Sequence, residues 1–285
     1  MLGVLGDEWT LLIIQRALLG AKRYGEFVSA LPVSNSVLTS RLQSMVAGDL
    51  LARRQYQRNP PRFEYPVTAR GRSLWPMLTA IWEWERRWVP GHAPRLPGMR
   101  HAACGGSFAP LVTCNACRAV TSAKDIVAQW GPSGSWERSV PSTTNRRRSE
   151  NRRSGAGWLF PQTMSVIGDR WAFALLVVAF VGAARFTDFQ TQLGAPPGTI
   201  ADRLSVFGAE GILVHSDGRY QLTDKGRAFF PVLVTALNWA QRWYPDPEGP
   251  AVELTHTGCS QQFNPVLVCD RCATALCRTQ VIPVG

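Results

Sequence analysis

Acidic side chains are scarce here: 20 Asp and Glu stand against 31 Lys and Arg, for a formal net charge of +11 and an isoelectric point near 9.9. That imbalance points to a polyanionic partner, nucleic acid first and an anionic membrane surface second. Long apolar runs are also lacking. The longest, Trp171 to Ala184, has 14 residues and is closed by Arg170 and Arg185. It falls short of the roughly 18–20 that a membrane helix needs, so it reads as a buried core helix and no membrane is expected as a partner. The first residues, Met1-Leu-Gly-Val-Leu-Gly-Asp-Glu8, lack the basic and apolar regions of a signal peptide. The expected location is therefore cytoplasmic, where seven cysteines read as metal or redox chemistry more readily than as structural disulfides. Histidine is rarer still, with four residues, and the chain holds no glycine-rich phosphate loop and no Ser/His/Asp constellation. No enzymatic activity is expected. His92, in a Pro-rich loop, and His215 have no partner in sequence and are expected to be exposed. What the chain does have is core material: 45% hydrophobic residues, with 11 Trp and 12 Phe. That composition excludes a globally disordered chain.

Sliding the sequence on itself exposes a repeat. A shift of 162 residues lays Leu5-Gly-Asp-Glu-Trp9 on Ile167-Gly-Asp-Arg-Trp171, and pairs Tyr24 with Phe186, Phe27 with Phe189 and Arg41-Leu42 with Arg203-Leu204. Past Leu51 the shift becomes 155, matching Thr68 with Thr223, Gly71 with Gly226, Trp84 with Trp239 and Trp88 with Trp243. It continues through His101/His256, Cys104/Cys259, Cys114/Cys269 and Cys117/Cys272. The change of shift is a seven-residue deletion in one loop of the second copy. Five segments follow: copy 1 over 1–97, its Cys/His tail over 98–128, a basic Ser/Gly/Pro/Arg-rich linker over 129–157, copy 2 over 158–249 and its tail over 250–285. The linker, with Arg146-Arg147-Arg148, reads as a flexible tether.

In copy 1 the apolar spacing of Leu11, Leu12, Ile14, Leu18 and Leu19 predicts a helix over Trp9–Leu19, stopped at Gly20. A second short helix is expected over Tyr24–Leu31. After Pro32-Val33, Ser34 is the expected N-cap of a third helix reaching Val46, with Leu38, Leu42 and Met45 on its buried face. Two helices joined by a tight turn make a helix-turn-helix. Leu50–Gln57 and Arg62–Thr68 alternate as two strands of a wing around Asn59-Pro60-Pro61, and Ser73–Val89 reads as a long Trp-rich helix. The fold class expected is mainly α with small β-hairpins: two tandem winged helix-turn-helix domains, each followed by a small zinc-binding motif.

Copy 1 resembles the HxlR-type winged helix-turn-helix regulators in Leu5-Gly-Asp-Glu-Trp-Thr-Leu-Leu12, Arg23-Tyr-Gly-Glu-Phe27, Leu31-Pro-Val-Ser34, Leu38-Thr-Ser-Arg-Leu42, Pro60-Pro-Arg-Phe-Glu-Tyr65 and Thr68-Ala-Arg-Gly-Arg-Ser-Leu74. Copy 2 matches over a similar span without the Pro-Pro-x-x-Glu-Tyr wing. It keeps in Phe160–Gly168 a leading segment that the family has and that copy 1 lacks, so the start at Met1 is expected to be truncated. The resemblance implies double-stranded DNA as partner, a repressor function, and a third helix entering the major groove. It places Ser34, Asn35, Ser36, Thr39, Ser40 and Gln43 toward DNA as short hydrogen-bonding residues. Arg41 stays open between a phosphate and an internal acid. The wing offers Arg53, Arg54, Arg58 and Arg62 to phosphates.

Each copy ends in His-x2-Cys-x9-Cys-x2-Cys: His101, Cys104, Cys114, Cys117, then His256, Cys259, Cys269, Cys272. Four soft donors in two close pairs suit a closed tetrahedral site, so two structural zinc ions are expected, one per tail. A dithiol redox switch and unliganded thiols are the alternatives. Cys277 is left over as a plain thiol.

The copies differ in charge. Residues 1–100 hold fourteen Lys/Arg against seven Asp/Glu, and 158–249 hold seven against eight. DNA contact is therefore expected mainly through copy 1. The competing reading is a ligand- or redox-sensing interaction module in which copy 2 regulates or dimerises. The tryptophans of the two terminal helices predict an intramolecular pseudo-dimer. A homodimer of the whole chain and a small-molecule effector remain open.

Overall fold

The computed structural model describes residues 7–135, 160–168 and 170–284. Copy 1 is built from α1 (Glu8–Leu18), α2 (Tyr24–Ala30) and α3 (Asn35–Ala47), then β1 (Arg54–Gln57), β2 (Arg62–Glu64), the short α4 (Ala69–Arg72) and α5 (Trp75–Trp88). Local chemistry sets these ends. Asp7 caps α1, its Oδ2 accepting from the Thr10 backbone N–H at 2.9 Å, and Ser34 caps α3. The wing strands are shorter than the alternation suggests. Pro66 has no N–H to give the ladder, so beyond β2 only an isolated Leu51–Val67 bridge persists. A tail of β3 (Gly98–His101), β4 (Pro110–Cys114) and β5 (Ile126–Trp130) follows. Strand β5 takes in Gln129 and Trp130, so the boundary expected at 129 lies too early. Most of the expected linker lies outside the described residues.

Copy 2 repeats the order: α6 (Pro161–Ile167), α7 (Arg170–Phe180), α8 (Phe186–Leu193), α9 (Pro197–Ala209), β6 (Leu213–Ser216), β7 (Arg219–Leu222), α10 (Asp224–Arg227) and α11 (Phe230–Trp243), then β8 (Val252–His256), β9 (Gln261–Gln262), β10 (Pro265–Cys269) and β11 (Val281–Val284). The 14-residue apolar run lies on α7 and just beyond it, with Ala172, Leu175, Leu176 and Val178 fully buried. Among the described residues, no helix is long and apolar enough to cross a membrane.

The two copies share one continuous apolar core. Helices α5 and α11 pack together across it. Trp84 donates its indole N–H to the Lys225 carbonyl at 3.1 Å, and Trp239 donates to the Arg70 carbonyl at 3.1 Å. Each donor and each acceptor is the other's equivalent at the 155-residue shift, so the contact is self-complementary about a pseudo-twofold axis. Trp84 also meets Phe229 edge-on at 4.9 Å.

The tails obey the same axis in a way the sequence reading did not anticipate. Strand β4 pairs antiparallel with β10, placing Cys114 opposite Pro265 and Cys269 opposite Pro110. Strand β3 pairs with β11, and β5 with β8. Apart from the β8–β9 hairpin and isolated bridges, every described tail strand finds its partner in the other copy. The tails are exchanged.

The symmetry is not complete: Trp243 donates its indole N–H to the Ser73 hydroxyl at 2.6 Å, where the matching pair is Trp88 and Ala228, and a buried carboxylate departs from it further. Glu85 on α5 is fully buried, and its Oε1 accepts from the Thr163 backbone N–H at 2.8 Å and hydroxyl at 2.7 Å. His92, expected to be exposed, instead sets Nδ1 2.9 Å from Glu85 Oε2 and is largely covered. Burial pushes the Glu85 carboxyl above its ordinary range against the pull of Thr163 and His92. At the 155-residue shift the counterparts are Ala240 and Pro247. Replacing Glu85 with Ala orphans two buried donors and is expected to cost about 2–3 kcal/mol in urea unfolding. Glu85→Gln keeps the acceptor, and its amide can donate toward His92, so it should stay within about 1 kcal/mol of the parent. Equal losses from both variants would show that the charge matters, not the hydrogen bonds.

Candidate nucleic-acid interface and metal centres

The outer face of α3 carries Ser34, Asn35, Ser36, Thr39, Ser40 and Gln43, all exposed, while Leu38, Leu42 and Met45 are sealed beneath. Helical spacing makes this division, and it leaves a row of short donors and acceptors clear of apolar side chains. Arg41 is different. Its Nε lies 2.9 Å from Asp7 Oδ2, so of the two roles open in the sequence the structure shows the internal pair, tying α3 to the start of α1.

The wing arginines are exposed but not equivalent. Arg54 lies across the hairpin from Glu64, with Nε 2.6 Å from Oε1, and spends part of its charge there. Arg53 stacks over Phe63 at 3.5 Å, which holds its guanidinium against the strand. Arg58 and Arg62 carry no ion-pair partner among the described residues and present whole charges.

Sequence reasoning missed Tyr24. Its hydroxyl lies 3.1 Å from the Asn35 carbonyl, 3.3 Å from Asn35 Oδ1 and 3.3 Å from Thr39 Oγ1. It orders two of the α3 side chains that face outward. The signal lay in the repeat, where Tyr24 is matched by Phe186, a substitution that removes only the hydroxyl.

The eight tail ligands gather as two clusters, but not as their spacing suggests. One is His101, Cys104, Cys269 and Cys272; the other is Cys114, Cys117, His256 and Cys259. Each takes one pair from each copy, which corrects the expected grouping within single tails. The reason is geometric. Strand β4 lies between the two ligand pairs of copy 1, and five extended residues span about 16 Å, so Cys104 and Cys114 end up at opposite ends of it. Pairing β4 with β10 in antiparallel register then brings Cys269 to the near end.

In each cluster the four ligand atoms lie within 4.8 Å of one another. A tetrahedral ion with bonds of roughly 2.3 Å to sulfur and 2.0–2.1 Å to nitrogen implies donor separations of about 3.8 Å between sulfurs and about 3.6 Å from sulfur to nitrogen. The observed separations are 3.9 Å for Cys104–Cys269, 3.9 Å for Cys114–Cys259, 3.4 Å for His101 Nδ1–Cys272 and 3.2 Å for His256 Nδ1–Cys259. The residues fit such an ion. The Thr274 backbone N–H and hydroxyl hold the Cys272 thiol down to about 6, while burial pushes the Cys269 thiol of the same cluster up. Cys277 stays outside both clusters, exposed, 3.3 Å from the Thr279 hydroxyl.

A family model of HxlR-like helix-turn-helix domains matches residues 4–93 and again 166–248, more than half the chain. This chain belongs to the HxlR-like helix-turn-helix family. Among its relatives, an uncharacterised HTH-type transcriptional regulator of Mycobacterium tuberculosis strain H37Rv is 31% identical over 129 residues, covering 43% of this chain and 82% of the relative. The uncharacterised HTH-type transcriptional regulator YvaP of Bacillus subtilis strain 168 is 33% identical over 87 residues, 30% of this chain and 81% of the relative. The solved structure of PA1374, a putative transcription factor from Pseudomonas aeruginosa, is 28% identical with a TM-score of 0.38, covering 45% of this chain and 88% of its own.

The HxlR-like chain is thus a helix-turn-helix transcriptional regulator with two family domains, and its second copy differs at the very surface the first exposes. On α9 the positions of Ser34, Asn35, Ser36, Thr39 and Ser40 are filled by Pro196, Pro197, Gly198, Ala201 and Asp202, all exposed. Its wing is cut to a turn at Ser216-Asp217-Gly218-Arg219, and His215 stacks on Tyr220 at 4.2 Å.

Proposed function

We propose that this HxlR-like chain is a sequence-specific, double-stranded-DNA-binding repressor whose DNA contact is made mainly by copy 1, with copy 2 as the pseudo-dimeric half that holds it. The observation that carries the reading is the contrast between two equivalent surfaces on one scaffold. Copy 1 presents six polar side chains and the wing arginines, while copy 2 presents two prolines, glycine, alanine and an aspartate, keeps one polar residue in Ser205, and has one wing arginine. Proline, glycine and alanine offer no side-chain hydrogen bond to a base edge, and an aspartate repels phosphate. We further propose zinc as the ion of both Cys/His clusters, serving structure: three thiols and one imidazole close a four-coordinate shell and leave no open position.

The test is a salt titration of the full chain on duplex DNA. Three or four phosphate contacts from the wing imply a slope of log affinity on log salt of about −3 to −4. A slope near zero, or equal affinity for single strands, would overturn the reading.

A further inference from the structure

We propose that the operator is one-sided: a single directional half-site read by copy 1, beside a stretch of duplex that copy 2 overlies without reading its bases. This deepens the function proposed above and rests on it. A twofold assembly with two equal recognition helices reads an inverted repeat, because each symmetry-related helix meets the same bases. Here the scaffold keeps the twofold and the reading surface does not. The scaffold symmetry is documented by the reciprocal Trp84–Lys225 and Trp239–Arg70 bonds and by the β4–β10 register.

The loss in copy 2 touches each layer of the reading surface. At the start of α9, Pro197 replaces Asn35 and Gly198 replaces Ser36, removing two side chains able to reach base edges. One turn on, Ala201 and Asp202 replace Thr39 and Ser40. Beneath them Phe186 replaces Tyr24, so the hydroxyl that orders Asn35 and Thr39 in copy 1 has no equivalent. In the wing, the strand register, Arg54 opposite Glu64 and Ser216 opposite Arg219, sets His215 and Ser216 where copy 1 has Arg53 and Arg54. The buried positions are kept apolar: Ile200, Leu204 and Phe207 sit where Leu38, Leu42 and Met45 sit. Change has fallen on the outward face and spared the inward one. The copy-2 helix remains a sound packing element and ceases to be a reader.

Selection of the full chain on a randomised duplex pool of about 30 base pairs, three helical turns, tests this. The expected result is one directional motif without an inverted repeat. Single-base changes within it should weaken binding on the order of 10-fold, and changes in the flank under copy 2 less than about 2-fold. An inverted repeat with equal base preference in both arms would overturn the inference while leaving DNA binding intact; failure to enrich any duplex would overturn the underlying DNA reading instead. A gain-of-function variant gives a second, independent measure. Phe186→Tyr with Pro196→Ser, Pro197→Asn, Gly198→Ser, Ala201→Thr, Asp202→Ser and Ser205→Gln restores the copy-1 helix face; all but the half-buried Phe186 are exposed positions, and Phe186→Tyr adds only a hydroxyl. This combined variant should convert the selected motif into an inverted repeat. A folded variant that still selects the single directional motif would show that the copy-2 helix does not face the duplex and would sink the proposal.

Discussion

The double variant Cys104→Ser, Cys269→Ser should retain one metal ion per chain, whereas Cys104→Ser, Cys114→Ser should retain none. The first pair of cysteines belongs to one cluster and the second pair belongs to two. Grouping within a single tail predicts the reverse, one ion lost in the second variant and both lost in the first. Metal analysis of reduced protein after gel filtration separates the two with whole-ion differences. Because ligand shells form only in the folded state, loss of an ion also removes folding free energy. With both copies contributing to each shell, the loss should loosen the docking of the copies and not one tail alone. Reduced wild-type protein that holds no metal and offers all seven thiols to titration would remove the zinc proposal altogether.

The second large effect lies in the wing. Replacing Arg54, Arg58 and Arg62 together with Ala should weaken binding to every duplex sequence and flatten the salt slope by two to three, about one unit per lost phosphate contact. Arg54 shares its charge with Glu64, so the single variants Arg58→Ala and Arg62→Ala should each lose more than Arg54→Ala. Copy 2 has no arginine at these three positions; removing two arginines it does carry near the equivalent surface, Arg203→Ala with Arg219→Ala, should move the slope by less than half a unit. Equal losses from the two sets would mean that both copies grip the backbone alike.

The helix-turn-helix could be read from the sequence because its determinants are local. Leu38, Leu42 and Met45 recur at helical spacing behind Ser34, and the structure buries all three beneath a capped helix. The ligand types of the metal sites were equally legible, since His-x2-Cys and Cys-x2-Cys bring donors close through neighbouring backbone alone. Which pair joins which was not legible, and the reason is the repeat itself. Every His-x2-Cys is equivalent to the other, so grouping within a copy or across copies yields the same one histidine and three cysteines. The choice rests on long-range strand pairing, with the clue in Pro110-Leu-Val-Thr-Cys114 and Pro265-Val-Leu-Val-Cys269, apolar strands lying between ligand pairs. His92 escaped for a related reason: its partner Glu85 sits one helix end away, and nothing local marks that glutamate as buried.

The exchange of tail strands has a consequence for how this protein behaves when scarce. A dimer of separate chains lives or dies by its dissociation constant, and at a few molecules per cell its halves drift apart. Here the halves are tied in one polypeptide, where the effective concentration of one for the other lies on the order of millimolar. Strands β3 and β8 meet β11 and β5 without any search through bulk solution. Dilution therefore cannot unmake the pair: each half keeps its partner at any protein concentration.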